Sequence, residues 1–105
     1  MEHRWGERVC IDHSVRVSAS RWRAVAQISN LSVSGAYLVG APPPPRITCI
    51  KVEFGTPQQR VLIEADVVRR THDGFALEWR EFAPRAVRRL LERAADPDAA
   101  LRRSA

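Results

Sequence analysis

Val9-Cys10-Ile11-Asp12-His13-Ser14-Val15-Arg16-Val17-Ser18 is followed, after a short polar break, by Trp22-Arg23-Ala24-Val25-Ala26-Gln27-Ile28-Ser29. In the first stretch Val9, Ile11, Val15 and Val17 share one parity, and Asp12, Ser14, Arg16 and Ser18 share the other. In the second, Trp22, Ala24, Ala26 and Ile28 alternate with Arg23, Gln27 and Ser29. Period two over this length means half-buried strands, because successive side chains of a strand point to opposite faces. The polar stretch from Ser18 to Arg21 between them predicts a hairpin connection.

The same pattern continues along the chain. A third strand is expected over Ala36 to Val39, after the Asn30 to Gly35 segment. It stops at Gly40 and the four prolines Pro42 to Pro45, which cannot donate to a sheet ladder and are expected to form a stiff exposed connection. Strands resume at Ile47 to Phe54 and at Val61 to Arg69, the latter with Val61, Ile63, Ala65 and Val67 on its inner parity. Asp73-Gly74 predicts a two-residue turn with positive φ before a last strand carrying Phe75, Leu77 and Trp79. After Pro84 the period changes: Val87, Leu90, Leu91 and Ala94 fall at i, i+3, i+4 and i+7, an amphipathic helix with Arg85, Arg88, Arg89 and Arg93 outward. The expected fold is all-β, a six-stranded antiparallel barrel with one C-terminal α-helix, since closure hides the edges of many short strands.

Composition sets the frame. The chain has 105 residues, one domain's worth, with 45% hydrophobic and 28% charged residues, as soluble globular domains have. Net charge is +5, and Lys51 is the only lysine among 17 basic residues. Arginine pairs bidentately with phosphates and guanine edges and stacks on flat rings, so an anionic partner fits, although a high-GC genome produces the same bias. Cys10 and Cys49 lack a C-x-x-C partner, so they predict neither a zinc site nor a disulfide and read as small hydrophobes. The charged start MEHRWGER has no apolar run for a signal peptide, and no stretch is long enough to span a membrane, so a cytoplasmic location is expected.

Two short segments carry the chemistry. Arg4-Trp5-Gly6-Glu7-Arg8 is an R-x-x-x-R before the first strand, a spacing that recurs at Arg85/Arg89 and means little alone. Asn30-Leu31-Ser32-Val33-Ser34-Gly35 fits [DN]-x-S-x-x-G. At average residue frequencies a chain this long matches it only about a few times in a hundred. Each has a plain reading: solvated charges at a terminus for the arginines, and an Asx/Ser turn closed by glycine for the second. Their joint occurrence, in this order and at strand boundaries, is the stronger signal.

The pair resembles the signature of the PilZ domain family, bacterial receptors for cyclic di-GMP, and the resemblance spans Arg4 to about Ala95. It implies a domain over residues 1–96, with a ligand-binding arm over 1–8, a helix over 84–95 and a polar tail over 97–105. It also implies that Arg4, Arg8, Asn30, Ser32 and Gly35 hold cyclic di-GMP on the barrel, with the arm folding over it. Three departures accompany it: the segment before Arg4 is short, Asn30 stands where many members carry aspartate, and no further domain is visible.

The chemistry of these side chains fits that ligand. Two guanines and two phosphodiesters call for bidentate donors, which Arg4 and Arg8 supply. The Asn30 side-chain oxygen can accept from the guanine Watson–Crick edge. Ser32 can donate to phosphate or brace the loop, and Gly35 permits positive φ and a close backbone approach. Arg69 is a candidate peripheral contact, although an ordinary exposed strand residue is the simpler reading. Trp22 and Trp79 read as barrel anchors, and Trp5 could border the ligand.

Nothing points to catalysis. Asp12-His13-Ser14 holds triad letters, but neighbouring strand residues face opposite ways, and no metal-ligand spacing occurs. The expected function is a cyclic di-GMP effector without a cofactor or enzymatic activity, relaying second-messenger level to a protein partner in motility, exopolysaccharide or pilus control. The alternatives are a PilZ-like adaptor that binds no nucleotide and a basic barrel for single-stranded nucleic acid. The latter is disfavoured because the aromatic residues mostly take core parity rather than lining a groove.

Overall fold

The computed structural model describes residues 9–55, 58, 60–82 and 84–95. Its strands are β1 (Val9–Ala19), β2 (Trp22–Leu31), β3 (Gly35–Val39), β4 (Cys49–Gly55), β5 (Arg60–Arg70) and β6 (Gly74–Trp79), with helix α1 (Arg85–Ala95) last. The strands close into an antiparallel barrel in the order β1-β2-β3-β6-β5-β4. Alternation places Val17, Ile28, Leu38, Val52, Ala65 and Phe75 inside, all nearly or completely buried. Burying an aliphatic side chain this fully is worth about 1.5–3 kcal/mol. The ion pairs Arg60–Glu53 (3.4 Å) and Arg80–Asp66 (3.0 Å) are exposed and screened by solvent, so the core decides stability.

Helix α1 closes one end of the barrel. Val87 is fully buried, Leu90 and Leu91 pack against the core, and α1 touches β1. The Pro84 carbonyl accepts the first helical bond from the Arg88 amide (2.9 Å), while Arg85, Arg88 and Arg89 face solvent. No helix among the described residues is long and apolar enough to cross a membrane.

Three β-bulges interrupt the alternation. Ile11 and Asp12 of β1 lie opposite Ser29 alone, between the pairs Cys10–Asn30 and His13–Ile28. Ser29 is in turn the extra residue against β3, between Ile28–Leu38 and Asn30–Tyr37. Val68 is the extra residue of β5 against β6, between Val67–Leu77 and Arg69–Ala76. Beyond Ser29 and Val68 the inward and outward parities of β2 and β5 exchange, whereas β1 keeps its parity, with Ile11, Val15 and Val17 all turned to the core. Past Ser29 the buried residue is Leu31 rather than Asn30, and past Val68 it is Arg69 that turns outward and Arg70 inward, opposite Phe75.

The structure corrects several sequence expectations. The proline run is exposed only at its end: Pro43 is fully buried, Pro42 and Pro44 are half-buried, and Pro45 is exposed. The inward-turned Arg70 donates from Nε to the Pro43 carbonyl (3.0 Å) and from a terminal nitrogen to Pro44 (3.2 Å) and Ile47. Prolines bring carbonyls without amides, so a single guanidinium can satisfy the loop. The β5–β6 connection has three residues, Thr71 to Asp73, and neither Asp73 nor Gly74 takes positive φ. Gly74 is there for space, since a Cβ would lie 2.3 Å from the Leu38 carbonyl oxygen and 2.6 Å from the Tyr37 hydroxyl. Val61 is 47% exposed despite its inner parity, although its partner Phe54 on β4 is buried. Cys10 is exposed rather than a small buried hydrophobe, being the outward partner of Asn30.

The barrel closes between β1 and β4 through Arg16–Glu53, Val17–Val52 and Ser18–Lys51. This is a much shorter ladder than the one joining β1 to β2.

Candidate functional site

The turn that ends β2 and begins β3 is built around Ser32. This side chain, 1% exposed, is the one polar residue buried among the described residues. Its Oγ accepts from the amides of Ser34 (3.3 Å) and Gly35 (3.2 Å) and lies 3.1 Å from the Ser34 hydroxyl and 3.3 Å from the Gly35 carbonyl oxygen. The Ser32 amide donates to the Gly35 carbonyl (2.8 Å). From the neighbouring strand, Trp79 donates its backbone amide to Ser34 (2.9 Å) and its indole Nε1–H to the Ser32 carbonyl (3.1 Å). The Trp79 ring is itself held edge-on by Phe54. Of the two roles the sequence leaves open for Ser32, the geometry displays the bracing one.

Gly35 is required by packing. It pairs with Glu78, and a Cβ there would stand 2.0 Å from the Leu77 carbonyl oxygen. Its φ is not positive, so backbone freedom is not what the position uses. The close approach is to β6 of the same barrel.

Asn30 is half-buried on the outer face, placed there by the Ser29 bulge. It stands in a row of registered partners running across five strands: Cys10, Asn30, Tyr37, Ala76 and Arg69. Further along that face the Tyr37 hydroxyl lies 2.7 Å from the Thr71 hydroxyl and 3.2 Å from Asp73 Oδ1. Bonds from Thr71 first, then Tyr37, hold the exposed Asp73 carboxyl below its ordinary value.

Arg4 and Arg8, like Trp5, lie outside the described residues. The point from which that segment departs is described: Val9 pairs with Leu31, and Cys10 with Asn30. The root of the arm therefore adjoins the Ser32 turn. Sequence reasoning missed the outer row itself, whose members are brought into line by bulges that alternation cannot reveal.

A closed six-stranded antiparallel barrel with a helix at one end and a braced polar turn beside the start of β1 defines a small helix-capped β-barrel domain. The sequence profile of the PilZ domain matches residues 2–95, and the chain belongs to that family. Its fold is similar to the PilZ domain of CeSA from a cellulose-synthesizing bacterium (TM-score 0.70, 15% identity, 82% of this chain and 95% of that one). It is also similar to the Bacillus subtilis inhibitor of motility MotI/DgrA (TM-score 0.65, 17% identity, 90% of this chain), of whose length it spans 50%. Among curated protein sequences none matches.

Proposed function

We propose that this chain is a cytoplasmic cyclic di-GMP receptor that catalyses nothing and passes its loaded state to a protein partner. The observation that carries the reading is the pairing of Val9 with Leu31, which roots the Arg4/Arg8 segment beside the Ser32 turn and Asn30. In this reading Arg4 and Arg8 serve guanine and phosphate, each good bidentate contact discriminating by about 1–3 kcal/mol. Asn30 accepts from the guanine Watson–Crick edge. Ser32 and Gly35 act mainly by fixing the turn that follows Asn30 at the end of β2. A partner that prefers the loaded form shifts the population by its differential affinity, and no further device is needed.

Calorimetric titration of the full chain with cyclic di-GMP tests this, with the mass of the complex giving stoichiometry. Binding at about micromolar or tighter is expected. Arg8→Ala should abolish it while the circular dichroism of the barrel is unchanged. Equal titrations for both proteins would refute the assignment. Absence of heat with wild type would favour the nucleotide-free adaptor.

A further inference from the structure

The geometry points to Arg69 as a further ligand-recognition residue, taking the O6/N7 edge of a guanine laid over Ala76; this rests on the cyclic di-GMP reading above. Arg69 pairs with Ala76, Ala76 with Tyr37 and Tyr37 with Asn30, so both polar ends of this row look out from one face. At the usual strand spacing the row from Asn30 to Arg69 measures about 14 Å along the sheet. That suits a ligand carrying two bases on one ring better than a single nucleotide.

The outward facing of both ends comes from irregularity. Asn30 shares even parity with the buried Ile28, and Arg69 shares odd parity with Val67, which packs against the core. The bulges at Ser29 and Val68 bring each of them outside. A bulge leaves ladder groups unpaired, and the one in β5 leaves Val68 57% exposed. Such devices serve to re-aim side chains, and here two of them re-aim onto one row.

Arg60 is paired with Glu53, Arg80 with Asp66, and Arg70 is committed to the proline-loop carbonyls. Arg69 is exposed and pairs with no carboxylate among the described residues. Between it and Tyr37 in the row stands Ala76, half-buried and with the smallest side chain of the four. A planar fork reaching over Ala76 matches the acceptor pair on the guanine major-groove edge.

The experiment is a cyclic di-GMP titration of wild type, Arg69→Ala, Arg69→Lys and Ala76→Phe, each with its melting temperature. Arg69→Ala should weaken binding about ten- to a hundred-fold with an unchanged melt. Arg69→Lys should recover only part, because an ammonium cannot make the bidentate contact. Ala76→Phe should weaken binding by placing a ring where the base is to lie. Wild-type affinity in Arg69→Ala or Ala76→Phe overturns the inference and leaves the β5 bulge serving Arg70 alone. A wild type that does not bind overturns the receptor reading itself, a distinct result.

Discussion

Replacing Gly35 with alanine separates two explanations of that glycine. The added Cβ would sit 2.0 Å from the Leu77 carbonyl oxygen, 3.1 Å from its carbon and 3.2 Å from the Glu78 Cα. All three are backbone atoms, so no side chain can swing aside, and β3 and β6 must part by about 1 Å or more. Overpacking of this kind costs about 1–3 kcal/mol. The separation also strains the Trp79–Ser34 amide bond and the indole bond to Ser32, each worth about 1 kcal/mol. Together these give a loss of about 3–5 kcal/mol, a large share of the roughly 5–15 kcal/mol that stabilises a domain. At about 4–8 °C per kcal/mol for a chain near this size, the melting temperature should fall by roughly 12–40 °C. Ligand-free thermal unfolding monitored by circular dichroism, with urea midpoints as a cross-check, measures it. A melting point within a few degrees of wild type, accompanied by loss of cyclic di-GMP binding, would refute the reasoning and assign the glycine to ligand approach.

Other substitutions test the remaining contacts. Arg70→Met keeps the aliphatic stem but removes the guanidinium donors to the Pro43 and Ile47 carbonyls, leaving Pro44 only the Ile47 amide; a loss of about 1.5–3 kcal/mol is expected in urea unfolding. Trp79→Phe keeps a ring against Phe54 and removes the donor to the Ser32 carbonyl, so unfolding should show a loss of about 1–3 kcal/mol. Asp73 has its carboxyl held below the ordinary 3.8, so its contribution is complete above that value and disappears as pH falls through the lower folded-state value. Asp73→Asn should therefore remove part of the acid-side slope of stability and leave the slope near neutrality unchanged, as melting curves across the acid range will show.

The six strands and the helix were legible because Val15/Val17, Ile50/Val52/Phe54 and Val87/Leu90/Leu91 repeat at the period of their elements. What escaped was set by tertiary partners. Nothing in the letters of Ser29 or Val68 announces an extra residue opposite a neighbouring strand, yet those positions decide which way Asn30, Arg69 and Arg70 face. Pro43 reads as exposed until a guanidinium from β5 is known to gather its carbonyl. Ser32 and Gly35 were legible as a motif by their spacing. The burial of one and the crowding of the other depend on Trp79 and Leu77, more than forty residues away along the chain.

The short β1–β4 ladder gives this barrel a preferred place to open. Where few backbone bonds bridge two strands, local unfolding needs little free energy, and amide protons there exchange with solvent ahead of those in long ladders. The β1–β2 and β4–β5 hairpins can each persist as a unit while the Val17–Val52 junction between them parts. The cylinder then behaves as a hinged sheet whose latch is a pair of valines.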